Sequence, residues 1–96
     1  MKIDFTKNNG ELTVALDGRL DTTTSPALEN FLSENYGDIT ALNVDCEKLV
    51  YISSAGLRVL LGAHKKMKGA MTLTNVGELV MEVLEMTGFA DIWGLS

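Results

Sequence analysis

Two neighbouring hydroxyls, Ser53 and Ser54, stand where an apolar run, Val50-Tyr51-Ile52, gives way to an apolar-periodic stretch containing Leu57, Leu60 and Leu61. That change of period marks a strand-to-helix seam. A helix N-terminus presents free backbone N–H groups and the positive end of the helix dipole. A serine there is a natural cap worth about 1 kcal/mol, and either Ser53 or Ser54 fits that role. The same place receives a phosphate well. Arg58 follows Ser54 by four residues, on the same helical face. A phosphate on Ser54 would therefore meet both the helix N-terminus and a guanidinium.

The remaining reactive side chains form no catalytic constellation. Asp21 lies in the polar loop Leu20-Asp21-Thr22-Thr23-Thr24-Ser25, where an Asx turn is the simplest role. His64 is the single histidine and falls on or beside the apolar stripe of the Ser54 helix, as a partly buried, hydrogen-bonded side chain would. It stands roughly 15 Å along that helix from Ser54 at 1.5 Å per residue, too far to serve as its base. A lone histidine and a lone cysteine make no zinc site. The nine glycines form no phosphate-binding or dinucleotide fingerprint. No metal, no cofactor and no enzymatic activity are expected. Cys46, at the end of an alternating run, reads as a buried structural thiol. Met67, Met71, Met81 and Met86 read as core filler, and Trp93 as an anchor for the tail.

The elements that position these residues follow from periodicity. Ile3 and Phe5, then Leu12, Val14 and Leu16, alternate with polar neighbours about Asn8-Asn9-Gly10, a hairpin pattern closed by Gly18. Ser25-Pro26 opens a helix, with Ser25 as cap and Pro26 at the first helical position. Its stripe is Leu28, Phe31 and Leu32, and Tyr36-Gly37-Asp38 ends it. Leu42, Val44 and Cys46 mark a third strand. The Ser54 helix then runs to about Gly69. Gly56 and Gly62 within that helix cost stability, which close packing on a neighbour would explain. Met71 and Leu73 mark a fourth strand. Leu79, Val80, Val83 and Leu84 form the stripe of a third helix, which Gly88 stops. Phe89, Ile92 and Trp93 suggest a short strand or a packed tail. The expected core includes Leu16, Val44, Leu57, Leu60, Leu61, Val83 and Leu84. This alternation implies one α/β domain over residues 1–96, with a mixed sheet and crossover helices.

The net charge of −5 argues against direct nucleic-acid binding. The one basic cluster, Lys65, Lys66 and Lys68, suits the C-terminus of a helix. No apolar run approaches the ~20 residues of a membrane span, and no signal peptide is expected, so membrane insertion is not expected. A single cysteine fits a reducing cytoplasm.

The seam resembles the signature of the STAS domain, the family of bacterial anti-sigma factor antagonists. Members carry Asp-Ser-(Ser/Thr)-Gly-Leu there, and the hydroxyl after the Asp is the phosphorylated one. Aligning on Gly56-Leu57 puts that acceptor at Ser54, with Ser53 the less favoured choice. Ser53 stands where the family usually has Asp, and Ala55 where it has Ser or Thr. The missing Asp removes a negative charge beside the acceptor. Gly18-Arg19-Leu20-Asp21 resembles the family's Gly-(Glu/Arg)-Leu-Asp segment, which lies near the acceptor. Thr22, Thr23 and Thr24 match no fixed motif.

The resemblance covers essentially the whole chain and implies a STAS-type sandwich with helices mainly on one side. The partner-facing surface then comprises Asp21, Thr22, Thr23, Ser53, Gly56 and Arg58. The implied function is a cytoplasmic switch that binds an anti-sigma factor with serine kinase activity when unphosphorylated. A serine phosphatase would reset it. The alternative implied by the same family is a non-catalytic subunit of an ABC-type lipid transporter.

Overall fold

The computed structural model describes residues 1–95. Strands β1 (Lys2–Asn8) and β2 (Glu11–Leu20) form an antiparallel hairpin. Its two-residue turn is Asn9-Gly10, with φ of +51° and +85°. Two positive φ angles are what a type I′ hairpin turn needs, and Asn-Gly supplies them at least cost. Helix α1 (Ser25–Asn35) and a 3-10 turn (Tyr36–Asp38) lead to β3 (Ala41–Ile52). Helix α2 (Ser54–Lys66), strand β4 (Met71–Thr74) and helix α3 (Glu78–Met86) follow. A 3-10 turn at Phe89–Trp93 closes the described chain, so the tail is packed helical turn and not a strand.

The sheet order is β1-β2-β3-β4, with β2, β3 and β4 parallel. Each parallel step passes through a helix, as the geometry of parallel pairing requires. One face of the sheet carries Leu12, Val14, Leu16, Leu42 and Val44, all at most 2% exposed, against Leu28, Leu32, Leu57, Leu60 and Leu84. The other face carries polar residues such as Thr13, Asp17, Asn43 and Asp45, none of them buried. The result is a mixed α/β sandwich with its helices on one side. Among the described residues, no helix is long and apolar enough to cross a membrane.

Several boundaries differ from those read in the sequence. Gly18 does not close β2; the strand passes through it at φ +111° and continues to Leu20. Alternation stops at Cys46, yet β3 runs on to Ile52. Two register shifts against β2 explain this. Leu16 faces Cys46 and Glu47 together, and Val50 is an extra residue between Leu49 and Tyr51. Such bulges break the period of two without ending the strand. Ser25 is not the cap of α1. Thr24 holds that position, and Ser25 is a buried first-turn residue whose hydroxyl donates to the Asp21 carbonyl.

In the core, Leu61 and Val83 are half-buried, while the other expected members are buried. Leu79 and Met86 lie outside it, 68% and 80% exposed. Met71 is buried and Met67 and Met81 are half-buried, so Met86 alone departs from a filling role. The Cys46 thiol is 1% exposed, and burial first, then the Asp45 charge, pushes its pKa up to about 12. At neutral pH it stays protonated and unreactive.

Candidate functional site

The seam between β3 and α2 is fixed to the end of β2 by backbone. Ser53 N–H donates to the Leu20 carbonyl at 2.9 Å. One turn later, Gly56 lies so close to Leu20 that a Cβ there would stand 2.7 Å from Leu20 Cγ and 2.9 Å from Leu20 O. Glycine is therefore the residue that lets α2 start against β2. Gly62 is different: a Cβ there meets nothing within 4 Å. Close packing explains the first glycine and leaves the second without a structural account.

The two glycines should respond with opposite signs to the same substitution. Gly56→Ala is expected to cost about 1–3 kcal/mol through overpacking against buried Leu20. Gly62→Ala is expected to add up to about 1 kcal/mol of helix propensity. Urea unfolding of both variants checks this, and equal effects would mean that α2 does not press on β2 as described.

Ser53 takes the cap. Its backbone is extended, at φ −99° and ψ 174°, and its Oγ accepts from Gly56 N–H at 3.3 Å. Ser54 is the first helical residue. It is exposed, and its hydroxyl has no hydrogen-bond partner among the described residues. The division of roles left open by the sequence is thus resolved in one respect: the capping oxygen belongs to Ser53. Arg58 is exposed and makes no ion pair among the described residues. Helical side chains lean toward the N-terminus, which directs Arg58 toward Ser54.

The loop after β2 stands beside this seam. Thr22, Ala55 and Arg58 share a cavity of about 180 Å³ between loop and helix. Thr22 and Thr23 are exposed and Asp21 is half-buried. Asp21 Oδ1 accepts from the N–H groups of Thr23 at 3.0 Å and Thr24 at 3.1 Å, an Asx turn. Thr24 Oγ1 accepts from Asp21 N–H at 2.9 Å and donates to the Arg19 carbonyl at 2.7 Å. The Thr24 N–H bond is the main cause that lowers the Asp21 pKa below its ordinary value, with the Thr23 N–H bond and the Arg19 charge acting in the same direction. Asp21 therefore organises the loop, whatever else it contacts.

Arg19 belongs to the segment expected near the acceptor, but its contacts there were not foreseen. Its guanidinium lies 4.2 Å from the Tyr51 ring centroid, with Nε 3.8 Å from Asp21 Oδ2. Arg19 and Tyr51 are register partners only because the Val50 bulge shifts β3 by one residue. Alternation in the sequence gives no sign of that shift. Gly56, expected at the partner surface, is buried.

A lowered carboxylate pKa makes a signed prediction. The ionised Asp21 is favoured in the folded state, so its stabilisation is present above the unfolded aspartate pKa of about 3.9. It fades as pH falls through the lower folded value. Asp21→Asn keeps an acceptor oxygen and loses the charge. It should melt below wild type at neutral pH, and the gap should close on acidification below about pH 4. Melting curves across that range check this; a gap that is constant with pH would exclude a charge-assisted turn.

His64 packs edge-on to Trp93 at 5.7 Å between centroids, and its Nδ1 lacks a hydrogen-bond partner among the described residues. Trp93 anchors the tail through this contact, and the hydrogen-bonded state expected of His64 is absent at Nδ1. Among the described residues, no group of three His, Cys, Asp or Glu side chains could hold a metal ion.

Comparison with known proteins agrees with this architecture. The family model for the STAS domain matches residues 2–96. The chain is 34% identical over 101 residues to BtrV of Bordetella bronchiseptica, which is named for an anti-sigma factor antagonist role; the match spans all of this chain and 86% of that protein. It is 26% identical over 99 residues to the anti-sigma-B factor antagonist of Bacillus subtilis, spanning all of this chain and 91% of the relative. Among solved structures, the anti-sigma factor antagonist SpoIIAA in its unphosphorylated form superposes with a TM-score of 0.84 at 18% identity. That match covers 96% of this chain and 84% of the other. From the whole-length family match and these relatives, the chain belongs to the STAS domain family, among the anti-sigma factor antagonists.

Proposed function

We propose that this protein is a phosphorylation-controlled interaction switch that binds an anti-sigma factor, with Ser54 as the phosphoacceptor. STAS domains are non-catalytic regulatory scaffolds, which suits a switch and not an enzyme. The observation that carries the reading is the division of labour at the seam. Ser53 caps α2, so the Ser54 hydroxyl is exposed at the helix N-terminus and without a hydrogen-bond partner among the described residues. Arg58, which makes no ion pair among the described residues, stands one turn away. Unphosphorylated, the surface around Ser54, Thr22, Thr23 and Arg58 packs against the anti-sigma factor in the cytoplasm. That partner's serine kinase activity places a phosphate on Ser54, and a serine phosphatase removes it. A phosphate adds about −1.5 to −2 charge at pH 7, inside a contact that had packed around a neutral hydroxyl. Repulsion and desolvation then offset part of an interface that at micromolar affinity is worth about −8 kcal/mol.

The test is to incubate the protein with its anti-sigma factor and ATP, map the phosphopeptide, and measure affinity before and after. The phosphate is expected on Ser54, and not on Thr22 or Thr23, which stand in the loop, nor on Thr24, whose hydroxyl is held between Asp21 N–H and the Arg19 carbonyl. Binding is expected to fall at least tenfold, about 1.4 kcal/mol. Phosphate in the threonine loop would sink the assignment. Unchanged affinity of the phosphorylated form would leave α2 as a static docking surface, as in a transporter subunit.

A further inference from the structure

Six large apolar side chains are exposed among the described residues, and four of them gather in one place. Val50 and Tyr51 are 57% and 38% exposed at the end of β3, and Leu79 and Met86 are 68% and 80% exposed on α3. Together with Glu82 and half-buried Val83 they line a groove of about 260 Å³ between strand and helix. Scattered surface leucines need no explanation, but a gathered patch does.

The groove is built by two departures from regular structure. β4 pairs with β3 only from Leu42 to Asp45, which leaves the later part of β3 without a strand on that side. α3 occupies the vacant flank. The bulge then takes Val50 out of the ladder with β2 and turns it outward beside α3. Bulges commonly re-aim a side chain in this way.

On α3, Leu79, Val83 and Met86 fall at i, i+4 and i+7, the stripe by which a helix packs on another helix. Val80 and Leu84 already supply a buried stripe toward the core. The helix thus has a second apolar stripe, two of whose members, Leu79 and Met86, are exposed among the described residues. Its charge is one-sided: Glu78, Glu82 and Glu85, with no lysine or arginine in the helix. An isologous contact with a second copy would set these glutamates against their own kind, which is repulsive.

We infer that this groove docks an amphipathic helix of a partner protein, one whose apolar face is flanked by lysine or arginine. Val50, Leu79, Val83 and Met86 receive the apolar face, and the three glutamates meet the basic flanks. Basic residues at the rim speed encounter and fix orientation, while the apolar anchors hold the complex. The groove does not depend on the state of Ser54, so the inference goes beyond the switch and can fail separately from it.

The test titrates the isotope-labelled protein, followed by amide NMR, with a leucine–lysine amphipathic peptide of about four helical turns. Two control peptides replace every lysine with glutamate, or scramble the same residues so that no apolar face forms. Shifts are expected at Val50, Tyr51, Leu79 and Met86, with binding at least tenfold weaker for both controls. Leu79→Ser combined with Met86→Ser should reduce binding at least tenfold at an unchanged melting temperature, because neither side chain is in the core. Ser54→Asp should leave peptide binding unchanged, which keeps the result independent of the switch. Shifts spread evenly over the acidic surface, or equal binding of the glutamate peptide, would overturn the inference. So would concentration-dependent dimers that the double variant abolishes, which would assign the face to a second copy.

Discussion

Leu60→Ala is expected to lower the stability of the protein by about 2–5 kcal/mol. Leu60 is 1% exposed and belongs to the cluster that joins α2 to the sheet. Truncation removes buried methyl groups and leaves a cavity that the strand residues beneath cannot fill without moving. For a domain of 96 residues such a loss is a large share of the total stability. Leu61→Ala is the internal comparison, since Leu61 is the next residue and only half-buried. Its cost should be clearly smaller. Chemical denaturation with unchanged m-values reads the difference directly. Equal losses at the two positions would mean that α2 is rotated from the face described, and Ser54 and Arg58 would rotate with it.

Why the sequence placed Leu60 correctly and Leu61 less well is a matter of angle. The apolar residues Leu57, Leu60 and Leu61 define a stripe, but not where its edge falls against the sheet. Periodicity likewise recovered the hairpin, the helices and β4, because each is a regular pattern bounded by turn residues. It failed where backbone irregularity carries the information. Two bulges disguised the second half of β3, and a second apolar stripe on α3 let exposed Leu79 read as one stripe with Val80, Val83 and Leu84. At the seam, residue types announced a capped helix N-terminus, yet could not say which serine caps. That follows from backbone geometry: Ser53 is extended and can fold its side chain over the first turn, whereas Ser54 is already helical. The Asp21 loop was legible as an Asx turn, while the contact of Arg19 with Tyr51 arises only through register. Lone side chains such as His64 offered no pattern from which their packing partner could be read.

The assignment of the cap separates two serines that stand next to each other, and three substitutions exploit it. Ser53→Ala removes the oxygen that accepts from Gly56 N–H, so it should cost about 0.5–2 kcal/mol of stability. It leaves the Ser54 hydroxyl in place, and phosphorylation should persist. Ser54→Ala removes a hydroxyl that makes no hydrogen bond among the described residues, so stability should stay within about 0.5 kcal/mol of wild type. This differs from the cost expected if Ser54 were itself the cap. It adds no charge, so partner binding should survive while phosphorylation stops. Ser54→Asp places a carboxylate in the first turn of α2, where the helix dipole favours it by about 0.3–1 kcal/mol. The protein should fold at least as well as wild type, yet its affinity for the anti-sigma factor should fall tenfold or more. Aspartate carries one charge and two oxygens against the larger charge and three oxygens of a phosphate, so the enzymatically phosphorylated protein should bind more weakly still. Stability and binding therefore rank the variants in opposite orders, with aspartate the better folder and alanine the better binder. Melting temperature and titration calorimetry on the same preparations read both orders. Phosphorylation that survives in Ser54→Ala and is lost in Ser53→Ala would move the acceptor back by one residue. Equal affinity of wild type, Ser54→Ala, Ser54→Asp and phosphorylated protein would refute a charge-controlled contact at α2.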